Sequence, residues 1–136
     1  MQSHFELTDA EYEAAFSSLR FPPELFSHEA HLRLAYIYLR HGTLEEAINK
    51  TRSAITRFVD HVGAHGKYNE TVTVASVKLL HRMIGESSTN HFKDFISEHP
   101  ELLSDFKNII RSYYTTHIFV NERAKREFIE PELKPL

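Results

Sequence analysis

Twice in the first fifty residues a threonine stands three positions before a glutamate and apolar residues follow at helical spacing: Thr8-Asp-Ala-Glu11 and Thr43-Leu-Glu-Glu46. In this pattern the hydroxyl accepts from the glutamate N–H, and the carboxylate reaches back to the threonine N–H. Two of the donors that every helix start leaves unpaired are thereby satisfied. After Thr8 come Tyr12, Ala15, Phe16 and Leu19, until Phe21-Pro-Pro23 stops the helix. After Thr43, with about 100° of rotation per residue, Leu44, Ala47, Ile48, Thr51, Ile55, Phe58, Val59 and Val62 fall within about 60° of one direction. Glu45, Asn49, Ser53, Thr56, Arg57 and Asp60 occupy the other side, which describes a surface helix with one buried stripe.

Further caps extend the pattern. Ser27 predicts a helix from His28 to about Arg40, closed by Gly42 at the position after the cap. Gly63 and Gly66 mark a loop, and Asn69 then caps a helix from Glu70 to about Ile84. That helix has apolar residues on two sides and a narrow polar strip of Thr71, Ala75, Lys78 and Arg82, so it is expected to be central. A short helix carries Phe92, Phe95 and Ile96. Pro100 opens another helix with Leu103, Phe106, Ile110, Tyr113 and Tyr114 on one face. From about residue 121 to 136 the chain is charged, and Pro131 and Pro135 favour an extended tail. The expected fold is all-α: a single domain over residues 1–136, a bundle of five or six helices. Four glycines in 136 residues are too few for the turns of a barrel or sandwich.

Composition removes several function classes. There is no cysteine, so disulfides, thiolate metal centres and cysteine nucleophiles are excluded. The opening Met-Gln-Ser-His-Phe-Glu-Leu-Thr has neither the basic nor the apolar region of a signal peptide. No apolar run approaches membrane-spanning length. A net charge of −3 with interspersed signs leaves no footprint for nucleic acid or an anionic membrane. A cytoplasmic location and a reducing environment fit these features, and a homodimer is compatible with them. There is no phosphate-cradling glycine loop, nucleophile elbow or His-Glu-x-x-His motif.

Histidine is the compositional outlier, with ten in the chain and five of them between positions 28 and 65. His28 and His31 lie three apart in the first turn of their helix. With His28 at 0°, His31 falls at about −60°, Ala35 at −20°, Leu39 at 20° and Leu32 at 40°, so both imidazoles are expected on the core-facing arc. The positive end of the helix dipole disfavours imidazolium, and neutral rings are what metals bind. The pair reads either as half of a chelating site or as a polar piece of core.

Glu70 begins the next inward arc, shared with Thr73, Val74, Val77 and His81. A buried carboxylate needs a cation or a donor, or it caps its own helix. If the two helix starts meet, His28, His31 and Glu70 make a two-histidine, one-carboxylate set suited to one divalent ion, zinc or iron, with open positions for water or substrate. His65, Tyr68, Asn69 and Thr73 would then line the rim. His65 would be a fourth ligand or a proton-transfer group, or a solvent-exposed loop histidine. Tyr68 would close the pocket or simply pack. His81, about 16 Å up its helix from Glu70, is expected to be a satisfied core histidine, and His4, His41, His91, His99 and His117 have no supporting context.

Three stretches together carry a resemblance: Phe26-Ser-His28-Glu-Ala-His31-Leu-Arg-Leu-Ala35, Lys67-Tyr68-Asn69-Glu70-Thr71, and the ending Phe128-Ile-Glu-Pro131-Glu-Leu-Lys-Pro135-Leu. The chain resembles a group of small, uncharacterised, all-helical bacterial proteins. The resemblance spans most of the chain and implies a single-domain protein. It brings no activity. In that group a histidine stands where this chain has Asn69, which implies one polar group fewer here. The expected function is a His/Glu-lined site for a divalent metal or a polar small molecule, with a metal-dependent reaction as its catalytic form. The alternative is a non-enzymatic interaction or ligand-binding module with structural histidines.

Overall fold

The computed structural model describes all of residues 1–136 and is all-helical, as the cap and periodicity signals predict. The chain divides into two compact units, Met1–Tyr68 and Asn69–Leu136.

The first unit holds a 3-10 turn at His4–Glu6, α1 (Asp9–Ser17), a turn at Pro23–Leu25, α2 (His28–Arg40), α3 (Leu44–His61) and a turn at His65–Lys67. Both predicted capping boxes form. Thr8 Oγ1 accepts from Glu11 N at 3.2 Å and Glu11 accepts from Thr8 N at 2.9 Å. The Thr43–Glu46 pair matches it at 3.1 and 2.9 Å. A third box, Ser3 with Glu6, starts the first turn.

The three helices α1, α2 and α3 pack on one another around Tyr12, Phe16, Phe21, Ala30, Leu34, Ile37, Ile55 and Phe58. Rings dominate this core. Phe16 stacks on Phe58 with centroids 4.6 Å apart and meets Phe26 at 4.7 Å. Such pairs contribute beyond their buried area. The buried Tyr12 hydroxyl donates to Ala30 O at 2.7 Å, which satisfies it inside the core.

α3 ends with Gly63 at φ +73. Gly63 N donates to Asp60 O and Ala64 N to Val59 O, which pairs carbonyls the helix end leaves over. Gly42, predicted to take that left-handed role after α2, does not take it, since Gly63 is the one glycine with positive φ. Gly42 sits against Glu46 instead, where an added Cβ would meet the carboxylate at 3.2 Å. α1 ends by the same hydrogen-bond pattern with Leu19 in the left-handed position, φ 64.

The second unit holds α4 (Glu70–Gly85), α5 (Phe92–Glu98), α6 (Glu101–Ser104), α7 (Phe106–Arg111) and α8 (Glu122–Arg126). The helix predicted from Pro100 onward is broken at Asp105, and Leu102 rather than Leu103 is buried. The polar strip expected on α4 is partly interior. Thr71 and Ala75 are both 0% exposed.

The tail accounts for this. Thr71 Oγ1 donates to Glu127 O at 2.8 Å and accepts from Ile129 N at 3.1 Å. Lys78 lies over the Phe128 ring, and Arg82 donates to Pro135 O. Tyr114 donates to Ile129 O, and Leu133 N donates to Tyr113 O. Residues beyond α8 lack regular structure, as the prolines predict, yet they are strapped onto α4 and the Tyr113–Thr116 segment.

Candidate functional site

Ser27 caps α2 as predicted, its hydroxyl accepting from Ala30 N at 3.2 Å. The two histidines that follow are not equivalent. His28 is exposed, against the expectation that it faces the core. The core of the first unit takes Ala30, Leu34 and Ile37, which project from the side of α2 opposite His28. Leu32 and Ala35, on the arc shared with His28, are buried too. A helix buried on two sides offers no single apolar direction, and its first turn escapes burial on the side of His28.

His31 is half-buried and held at two points. Its Nδ1 lies 2.9 Å from Ser27 O. A carbonyl only accepts, so Nδ1 carries the hydrogen and, in the neutral ring, Nε2 carries the lone pair. Phe26 stacks on the imidazole with centroids 3.7 Å apart and planes 25° from parallel. Burial pushes the pKa of His31 down to about 4, the Ser27 carbonyl acting against that and His28 with it. The ring is therefore neutral at physiological pH. A neutral imidazole whose second nitrogen is fixed by a backbone carbonyl is the form in which histidine ligates metals or accepts a proton.

The rim residues predicted from sequence are distributed as follows. His65 is exposed and pairs with Asp60, Nδ1 to Oδ1 2.6 Å. Tyr68 is half-buried and packs against the aromatic core of the first unit. In the second unit Asn69 caps α4, accepting from Val72 N at 3.0 Å and donating to Ile118 O at 2.7 Å. Thr73 donates to Asn69 O at 2.8 Å, and Glu70 opens the helix half-buried. His81, expected in the core, is exposed. Within each unit no group of three or more His, Asp or Glu side chains is arranged to hold a metal ion.

The most elaborate polar arrangement is one that sequence reasoning missed. Arg33, 5% exposed, lies in the first unit's interior. It donates to His4 O at 2.6 Å, Leu7 O at 2.8 Å and Asp9 Oδ1 at 2.9 and 3.2 Å. Its guanidinium also lies 5.0 Å from the Tyr12 ring centroid. Arg33 Nη1 lies 3.2 Å from His4 Nδ1. Guanidinium only donates, so Nδ1 of His4 accepts and Nε2 carries the hydrogen, donating to Glu29 at 2.8 Å.

His4 is 3% exposed. Burial lowers its pKa from the ordinary imidazole value. The Glu29 carboxylate opposes this, and the Arg33 cation adds to it. Two signals point to this network: Ser3-x-x-Glu6 is itself a capping box, and Arg33 is set among Leu32, Leu34 and Ala35 on the side of α2 that carries Ala30 and Leu34.

No known protein family, curated protein or solved structure matches the chain. No helix is long and apolar enough to cross a membrane.

Proposed function

We propose that the chain binds a small polar ligand or a divalent cation at the start of α2, with Nε2 of His31 as the recognising atom and His28 beside it. The observation that carries this reading is the fixed, neutral His31 ring: Nδ1–H is committed to Ser27 O, Phe26 covers one face, and the lone pair is left on Nε2. A cation would take the two imidazoles as a chelating pair three residues apart, zinc and non-haem iron being the ions that such donors suit. A neutral ligand would donate a hydrogen bond to Nε2. The proposal is confined to the first unit and assigns no reaction.

The test is calorimetric titration of tag-free protein with Zn2+ and Ni2+. Loss of one member of a chelating pair weakens binding at least tenfold, so His31→Ala and His28→Ala should each do so while the helical signal persists. For an uncharged ligand, a fragment screen read at the His31 ring resonances is the corresponding experiment. If neither ion binds and no fragment moves those resonances, the reading fails.

One observation favours a second reading, in which the histidines are structural and the chain is a non-enzymatic interaction module: the Phe26 stack and the Ser27 bond of His31 are also what a packed histidine needs. On that reading His31→Ala lowers stability and leaves metal binding unchanged.

A further inference from the structure

The His4 network joins three elements through one proton-sensitive atom. The turn at His4–Glu6 contributes His4, α1 contributes Asp9 and Tyr12, and α2 contributes Glu29 and Arg33. The remaining charged group of the turn, Glu6, is engaged with the backbone N–H groups of Gln2 and Ser3. The Arg33 hydrogen bonds to the segment before α1 all depend on where that segment sits: those to His4 Nδ1, His4 O and Leu7 O. While His4 is neutral, Nδ1 accepts from the guanidinium. A second proton turns Nδ1 into a donor pointed at another donor, with two cationic groups 3.2 Å apart.

The compensating carboxylates do not restore the contact. Glu29 already receives the Nε2 hydrogen, and Asp9 already holds Arg33 on its far side. Both carboxylates are also partly exposed and so screened, at 28% and 45%, whereas His4 and Arg33 are interior.

We propose that residues Ser3–Leu7 form a pH-released strap, closed over the α1–α2 contact while His4 is neutral and opened when His4 becomes an imidazolium. Opening hydrates Arg33 and gives Glu29, which stands between His28 and His31 in sequence, back to solvent. Acid thereby changes the charge presented at the first turn of α2. The proposal does not rest on the ligand reading of His31.

The test follows amide hydrogen exchange, corrected for intrinsic rates, together with His4 ring resonances, in the full chain from pH 7.5 to 4. Leu7 N and Glu6 N, which donate to His4 O and Ser3 O when the strap is closed, should lose protection as the His4 ring titrates. Each pH unit by which closure depresses that titration corresponds to roughly tenfold in the opening equilibrium. α3 amides should keep their protection. His4→Gln is the matched variant, because its amide oxygen can accept from Arg33 and its NH2 can donate to Glu29, but it takes no proton in this range. It should hold the strap closed throughout.

If His4→Gln loosens with pH as the wild type does, the carboxylates are responsible and the proposal is overturned. Should His4→Gln already be open at pH 7.5, the wild-type titration decides: strap protection that changes with a midpoint different from that of the His4 ring also overturns it.

Discussion

Each unit fastens an irregular segment onto its helices, and the two do so with opposite chemistry. In the first unit the segment before α1 is held by a buried guanidinium and a buried imidazole, Arg33 and His4. In the second, the tail after α8 is held mainly by hydroxyls. Thr71 bonds Glu127 and Ile129, Tyr114 bonds Ile129, and Thr115 and Thr116 bond the Glu132 carboxylate.

A hydroxyl both donates and accepts, so it satisfies backbone groups without bringing a charge inside. Arg33 brings five donors and must find acceptors for them in the interior. The first arrangement is costly to break and sensitive to protonation. The second is a sum of modest bonds with little dependence on pH until carboxylates titrate.

Arg33→Met separates the two most sharply. It removes the buried cation, takes the donor from Leu7 O and leaves Leu7 N as the remaining donor to His4 O, and equilibrium unfolding in urea should show a loss of about 3–5 kcal/mol. A loss under about 1 kcal/mol would put the two fastenings on the same footing and break the comparison.

Thr71→Val comes next. It keeps shape and deletes two hydrogen bonds of a fully buried hydroxyl, for an expected loss of about 1–3 kcal/mol. The amide of Ile129 should exchange faster while strap amides in the first unit do not change. Tyr114→Phe removes a single bond to Ile129 O, with an expected loss of about 1 kcal/mol by the same unfolding measurement.

The smallest effect belongs to Glu132, whose carboxylate is wholly exposed. Hydrogen bonds from the Thr116 and Thr115 hydroxyls hold its pKa down to about 2. A depressed carboxyl stabilises the folded state above its unfolded value and loses that contribution as pH falls towards 2. Protection of the tail should therefore persist to about pH 4.5 and decline below it. Glu132→Gln should weaken it at neutral pH. His4 and His31 also have depressed values, so their contributions are present above about pH 6.5 and fade as pH falls below it. Hydrogen exchange across a pH series thus has an expected order, with the first unit's strap loosening before the tail. Simultaneous loosening would contradict the charge-based account.

Much of the helical framework was legible before any coordinates. Thr8, Thr43, Ser27 and Asn69 all cap the helices assigned to them, because a cap is a contact within four residues and needs only local sequence. The stripe on α3 was legible for a related reason: Ala47, Thr51, Ile55 and Phe58 are buried as predicted, and one-sided burial leaves a clean period. The arc on α2 was not. Leu32 and Ala35 on one side and Ala30 and Leu34 on the other are all interior, so the period gives no single direction and does not show that burial on the side of His28 stops short of the first turn. On α4 the strip containing Thr71 looked solvent-facing because the covering segment lies 56 residues on.

What the sequence by itself determined is where helices begin, which residues cap them, and that His31 follows Ser27 at the spacing that lets its ring reach back to Ser27 O. Only the tertiary structure decided which of the two histidines is sheltered, that Arg33 and His4 are interior partners, and that the prolyl tail is fastened rather than loose. The division follows from range. Caps and periodicity act within a turn or two of the backbone, whereas the state of an imidazole or guanidinium depends on desolvation and on partners brought from 24 to 29 residues away.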